Sequence, residues 1–414
     1  MNTKRLFLGL VASLVCMTLT FVSCGSKDDN GSTTGEPVLP SEIAKYPYSS
    51  LSPEQQKEKL SDEANTFLSQ VQDLSKEKGF DVFNTFSNLV DIDEPTIGGN
   101  SLNSGGDIIK INSFYGKFTW QASSMTWKEE QANQLEFNFP VGSSTGRIVI
   151  TGVSSGKNYT YEDYYEDYDY STGQWVEETE TTTFELPKQL SAIMYLGGSE
   201  VGNIQVSADI VDTQSVPKSA AVSFSFGSYK YNQNYEKSTG KVTASLSKGN
   251  NILINSMVVL NGNVDNLIND PEYDNFSGNF TLQIMDNLAF AGNVDIANYD
   301  KEMNNLDVSC YPSSIPSNFD WDKADENYTK GSATIFNKYF DIYLVSTKDQ
   351  TRIAKLTQKA VSEVYQSGGY TYTYWDVVDV LNFNDSTEVE ANVYFSEGFD
   401  LVMKNLNKFI QSFQ

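Results

Sequence analysis

Leu135-Glu136-Phe137-Asn138-Phe139 places an apolar side chain at every second position. The same beat returns at Ile148 and Ile150, at Val222-Ser223-Phe224-Ser225-Phe226, and at Leu282-Gln283-Ile284. A period of two is the mark of a strand with one face buried. From Ile108 to about Cys310, turn residues interrupt these runs roughly every 8 to 15 positions, the spacing of antiparallel hairpins. The pattern predicts a large, curved antiparallel sheet over 108–310. Gly262-Asn263-Val264-Asp265 and Gly292-Asn293-Val294-Asp295 echo each other, with weaker relatives at Gly202-Asn203-Ile204 and Gly278-Asn279-Phe280. They read as successive hairpins of that one sheet.

Outward from the sheet, the period changes. Ser52-Pro53-Glu54-Gln55 is a capping box with proline at the first helical position, and Leu60, Ala64, Phe67, Leu68, Val71 and Leu74 follow on one helical stripe. Gly79 is expected to break this helix. Phe80, Phe83, Phe86, Leu89 and Val90 then predict a second, giving a helical hairpin over 51–97. On the other side, Pro312 and Pro316 mark a boundary before a smaller C-terminal α/β part, 317–414. There Tyr339–Val345 reads as a strand. Ile353, Leu356, Ala360, Val361 and Val364 fit a helix, although the run also reads as a strand pair. Val389, Ala391, Val393 and Phe395 alternate as a strand, and Phe399, Val402, Met403, Leu406, Phe409, Ile410 and Phe413 form a closing amphipathic helix. The expected class is α+β.

The chain has 414 residues, 54 acids, 29 bases and no histidine. Without histidine there is no Ser-His-Asp triad, no Cys-His dyad and no histidine-ligated metal. A net charge of -25 repels phosphate backbones and excludes nucleic acid as a partner. The 39% apolar content supports a folded core rather than disorder. Two-carboxylate glycoside hydrolysis needs no histidine, but nothing in the sequence singles out a pair. No catalytic residue, cofactor or metal site is therefore expected.

At the N-terminus, Lys4 and Arg5 precede an apolar stretch from Leu6 to Val22, which reads as a secretory signal. It closes on Phe21-Val22-Ser23-Cys24, which resembles the bacterial lipobox, departing from it at Phe21, where the family prefers leucine. The resemblance implies cleavage of 1–23 and acylation of Cys24 by palmitate-like chains, so that the membrane is met through a lipid anchor. Losing Lys4 and Arg5 takes the net charge from -25 to -27. Gly25-Ser26-Lys27-Asp28-Asp29 resembles the export tag of surface lipoproteins of the Bacteroidetes. Ser26, Lys27, Asp28 and Asp29 would then direct the protein to the outer face of the outer membrane. In style the chain is similar to large uncharacterised lipoproteins of that group, and no activity comes with the resemblance. Residues 24–50 are expected to be a flexible, lipidated tether.

Several motifs invite chemistry and do not support it. Gly152-Val153-Ser154-Ser155-Gly156 matches a nucleophile elbow and Ser154–Lys157 a Ser-x-x-Lys, but the first lacks its histidine and the second recurs at Ser75–Lys78. Both read as β-turns. Asp320, Asp322, Asp325 and Glu326 resemble a calcium loop, but its sixth and twelfth positions hold Asp325 and Gly331. Asp91, Asp93 and Glu94 form another acidic group. Cys310 reads as a small buried hydrophobe.

The most unusual stretch is Tyr159–Leu186, with six tyrosines, Trp175, nine acids and no lysine or arginine. A turn at Ser171–Gln174 would set Tyr170 opposite Trp175, Tyr161 opposite Phe184, and Asp167 opposite Glu178. Facing like charges require water or a cationic partner between them. Tyrosine-rich surfaces supply stiff, amphipathic contact area, so Tyr164, Tyr165, Tyr168 and Trp175 are the candidate ligand-binding residues. Tyr370, Tyr372 and Tyr374, spaced by two beside Trp375, read as a core face. The leading expectation is a non-enzymatic surface lipoprotein that binds a glycan or a protein partner. The alternatives are an envelope carrier of lipid or another apolar molecule, an envelope structural protein, and, behind these, a carboxylate-based hydrolase.

Overall fold

The computed structural model describes residues 40–95, 108–169, 173–213, 215–265, 277–285, 287–367 and 370–396. It is a mixed α and β protein, about 51% strand against 27% helix, so strands dominate. In chain order the elements begin with α1 (Pro40–Ile43), α2 (Pro53–Leu74) and α3 (Lys78–Ile92), followed by β1 (Ile108–Ile109), β2 (Gly116–Gln121), β3 (Thr126–Glu130) and β4 (Leu135–Val141). The long strands β5 (Ser144–Asp169) and β6 (Gln174–Leu196) come next, then β7 (Ser199–Asp209), β8 (Ser219–Phe226) and β9 (Tyr229–Glu236). After β10 (Lys241–Lys248), β11 (Asn251–Asn261), β12 (Ser277–Ile284) and β13 (Leu288–Asp295) stand two helices, α4 (Ile296–Cys310) and α5 (Trp321–Tyr339). Strands β14 (Phe340–Ser346), β15 (Thr351–Ser367), β16 (Tyr370–Asn382) and β17 (Glu388–Glu390) then lead to α6 (Ala391–Ser396). Contacts divide the chain into two compact units, one built on 73–238 and the other on 31–72 with 239–414.

In the first unit β4 through β9 form an antiparallel meander, with β2 parallel to β4 and antiparallel to β3. Leu135, Phe137 and Phe139 on β4 are each 2% exposed, so the period-two face is the buried one. Phe86 of α3 packs on it, 4.8 Å from Phe137 and 5.7 Å from Phe139 between ring centres. Trp127 of β3 meets Phe137 edge-on at 5.6 Å. Such pairs add about 0.5–1.5 kcal/mol each beyond their area. Trp127 is also fixed by Asp93, whose carboxylate accepts from its backbone N–H and whose carbonyl accepts from its ring N–H, both at 2.9 Å. Gly79 does not break a helix. The break falls at Ser75–Glu77, and Gly79 lies in the first turn of α3, where an added Cβ would come within 2.5 Å of the Val201 carbonyl.

In the second unit β10 through β17 run as one antiparallel succession. Helices cover both faces of its middle. Leu288, Leu344, Ile353 and Leu381 join Leu60 of α2 in one core cluster, and the alternate residues Ala289, Ala291 and Val345 join Ile43 of α1 in another. Burying Leu60 contributes about 1.5–3 kcal/mol. The capping box forms as its residues suggest: the Ser52 N–H donates to the Gln55 side chain at 3.0 Å, and the Gln55 N–H to the Ser52 hydroxyl at 3.3 Å.

The structure corrects several expectations. Residues 40–50 are not tether: Ile43 is fully buried, and the Ser49 N–H donates to the Arg352 carbonyl at 2.8 Å. The expected helix over 353–364 is strand β15, because its antiparallel ladder with β16 runs from Lys355 to Ser367 and outweighs any local helical spacing. Ala391 and Val393 lie in α6 rather than in a strand, and the last stretch of the expected sheet region, 296–310, is α4. The Gly-Asn-Val-Asp pair is not a repeat of one element, since Gly292 is inside β13 whereas Gly262 follows the end of β11. What Gly202, Gly278 and Gly292 share is tight packing, where a Cβ would come within 2.7 Å of a neighbouring strand. The expected closing helix over 399–413 lies outside the described residues, as do Cys24, Ser26, Lys27, Asp28 and Asp29.

Candidate functional site

The site is built where β5 outruns its neighbours. β4 pairs with β5 only from Ser144 to Ile150, and β7 pairs with β6 only from Gln189 to Leu196, so beyond these points β5 and β6 continue as a ribbon, flanked by the short β1 at Thr183 and Phe184 and two-stranded past it. At the foot of the ribbon the ladder is broken twice, between Val153 and Ser154 and between Ser154 and Lys157. Gly156, at φ 71°, takes the left-handed conformation that this bulge demands. The serines of the apparent elbow thus sit in a bulge inside one strand, not in a β-turn. The Ser154 hydroxyl donates to Glu185 at 2.6 Å, and the Ser155 hydroxyl to the Leu186 carbonyl at 2.7 Å.

A cavity of about 220 Å³ opens beside this bulge. Its floor is the sheet, where Leu135, Ile150 and Leu190 meet and the bare Gly152 lets the wall approach closely: an added Cβ there would come within 2.6 Å of Ile111 and 3.1 Å of Leu190. Its wall is a single 3₁₀ turn, Ile111–Phe114, which contributes Ile111 and Phe114, with Tyr115 following. Its outer edge is the cross-strand pair Tyr159 and Phe184 at the root of the ribbon. Strand β1, parallel to β6 at Thr183 and Phe184, carries the 3₁₀ turn into place.

Glu185 is the one charged residue among the described residues lining the cavity. One of its oxygens accepts from the Ile111 N–H at 2.9 Å and the other from Ser154. The Ser154 hydroxyl first, then the Ile111 amide and the positive charge of Lys110, hold its carboxyl below the usual range. It is therefore a carboxylate at neutral pH, and it clips the wall to the bulge.

Beyond the foot, the ribbon continues through Asp169 and Gln174, roughly 40 Å past the bulge at about 3.3 Å per residue. Its register differs from the expected one by two residues: Tyr168 faces Trp175, Tyr159 faces Phe184 and Tyr165 faces Glu178. The ladder closes at Asp169 and Gln174, one position earlier in the chain than the expected closing pair Tyr170 and Trp175, with Gly173 at φ 71°. Like charges still oppose each other, now as Glu166 with Glu177 and Asp163 with Glu180. Trp175 is 68% exposed. The backbones of Tyr164, Tyr165 and Tyr168 lie in β5, and their side chains are outside the described set.

The second aromatic run does not form a core face throughout. Tyr374, on β16 opposite Glu363, is 58% exposed, whereas Trp375 is half-buried under Lys330, 4.4 Å from its ring centre. The acidic groups have structural work. Asp320 caps α5 by accepting from the Lys323 N–H at 3.0 Å, Asp325 accepts from the Tyr311 hydroxyl at 2.5 Å, and Glu326 pairs with Lys323 and Lys330. No cluster of metal-ligating residues occurs among the described residues. Cys310 is buried and free.

Sequence reasoning missed the cavity. Glu185 counted there only as one acid among nine, and Ile111 and Phe114 carried no signal. The available hint was Gly152 beside a bulge-forming Ser-Ser-Gly. No protein-family model, curated protein or solved structure matches the chain.

Proposed function

We propose that this chain is a non-enzymatic ligand-binding lipoprotein of the cell envelope, held by acyl chains on Cys24 and displayed outward through Ser26–Asp29, and that it binds a small apolar molecule. The anchor rests on the lipobox and tag resemblance, and no described helix is long and apolar enough to cross a membrane. The finer architecture, a curved sheet with a helical hairpin before it and an amphipathic helix closing the chain, belongs to the same proposal. One observation carries the binding reading: an open cavity walled by Ile, Leu, Phe and Tyr side chains at a sheet surface. Water gains little from such a lining, so an apolar occupant is favoured. The volume falls below the roughly 300–1,000 Å³ of drug-sized sites, which rules in a compact ligand rather than a whole lipid.

The test is organic extraction of the full chain carrying Cys24→Ser, which cannot be acylated. Release of a small apolar compound in near one-to-one ratio is expected. Recovery of nothing but bulk lipid, in equal amount from a cavity-filled variant, rejects the reading. Display is tested by protease shaving of intact cells, with a periplasmic protein as control. Protection until lysis would reject the outward orientation.

A second reading, recognition of a glycan or protein by the ribbon, is favoured by the exposure of Trp175 and by the continuity of Tyr159 and Phe184 with the cavity. Replacing Tyr164, Tyr165 and Trp175 together by alanine should abolish such binding to cells or glycan arrays without lowering the unfolding temperature. Unchanged binding removes the ribbon as the site.

A further inference from the structure

The cavity has a chemical asymmetry that narrows its ligand, and the inference rests on the binding reading above. Its lining residues are aliphatic or aromatic apart from one acid, Glu185. That carboxylate is within 2.9 Å of the amide of Ile111, itself part of the wall, and it stays charged because Ser154 and Ile111 both donate to it. An ionised carboxylate accepts about four hydrogen bonds, and these two donors use half of that capacity. A ligand group that donates is therefore met, and a ligand group that carries negative charge is repelled.

No described lysine or arginine lines the cavity to reverse this. Lys110 is close enough to help hold Glu185 ionised, but like Lys157 and Lys188 it is exposed and outside the lining, where water weakens its pull on a ligand. Size sets the second limit. A cavity of about 150 Å³ accepts benzene, so 220 Å³ takes a body about half as large again, one substituted ring or a chain of about eight carbons.

We propose that the cavity takes a compact apolar molecule of about this size ending in a hydroxyl or an amine, and that Glu185 makes it reject the matching carboxylate. It is thus a site for short alcohols or amines and not for fatty acids.

The experiment uses the full chain carrying Cys24→Ser and, as the dye, the small neutral fluorophore 1-naphthylamine, whose ten-carbon body is close to the size limit, displaced in turn by octan-1-ol, octylamine and octanoate. The alcohol and the amine are expected to displace the dye at least tenfold more effectively than octanoate. Glu185→Gln keeps an acceptor for Ile111 and should bring octanoate to within about threefold of the alcohol. Octanoate equal to or better than the alcohol on unaltered Glu185 overturns the ligand class, whatever the folding of the variant. A gap that survives Glu185→Gln overturns the role of Glu185. Absence of dye binding, or dye binding that survives filling the cavity with Leu190→Phe, overturns the cavity reading itself.

Discussion

Leu190→Phe asks whether the space beside the bulge is empty and reachable. Leu190 pairs across the ladder with Gly152, and its side chain passes 3.1 Å from where a Cβ on that glycine would stand. Ile111 already covers Gly152, so an aromatic ring at 190 would turn away from the glycine and into the cavity. The ring adds the equivalent of about two buried methylenes, at about 0.8 kcal/mol each. Rotamer restriction and small shifts of Ile111 offset part of this, leaving a gain of about 1 kcal/mol. For a unit of this size that raises the unfolding midpoint by about 2–4 °C. Thermal unfolding of the Cys24→Ser full chain, followed by near-ultraviolet circular dichroism, measures the shift, and dye titration should show at least a tenfold loss of affinity. A loss of more than 1 kcal/mol with dye binding unchanged would refute the reasoning, because it would mean that the ring found no room there.

Two further outcomes follow from contacts away from the cavity. Glu326 is held at a pKa of about 2 by the hydrogen bonds from Lys323 and Lys330. A depressed carboxylate stabilises the fold above its ordinary pKa near 4.5 and loses that contribution as pH falls through the folded value. The acid limb of stability between about pH 4.5 and 2 should therefore flatten in Glu326→Gln. The effect should also fade in high salt, since the group and its two lysines lie at the surface; identical acid titrations of the two proteins would contradict this. Trp127→Phe keeps the ring in the aromatic core but deletes its donation to the Asp93 carbonyl. It should lower stability by about 1 kcal/mol, read from the urea midpoint, and no change would mean that water replaces the bond.

The strand period on β4, the capping box at Ser52 and the strand over 340–346 were legible because each is local: side-chain alternation or a four-residue hydrogen-bond pattern fixes the outcome. The stretch 353–364 was not, because Ile353, Leu356, Ala360 and Val364 satisfy helical spacing locally. What decides their conformation is a ladder with Tyr370–Asn382 that no local window contains. The ribbon was legible as a hairpin but not in register, since moving the closing pair back by one position on each strand shifts every pairing by two residues. The cavity was the least legible feature. Its residues come from a 3₁₀ turn, a bulge and three strands separated by as many as 79 positions, from Ile111 to Leu190, and a void leaves no mark on the residues that fail to fill it.

What keeps that void open is the same set of contacts that makes it selective. A two-stranded ribbon is marginal by itself, and a bulge weakens its foot further. Glu185 offsets this by joining Ser154 of the bulge to the Ile111 amide, so Ile111 stays seated on Gly152 and the wall cannot shift across the cavity without breaking a charge-assisted bond. Such a bond contributes about 1.5–3 kcal/mol where water is excluded and less at a half-exposed edge such as this. A purely apolar clip would hold the wall as well but would leave the cavity indifferent to the charge of its ligand. Using a carboxylate for the purpose ties the stability of the site to its chemistry. Variants that neutralise Glu185 are therefore expected to loosen the wall and broaden the ligand range together, whereas Leu190→Phe reduces capacity without loosening the wall.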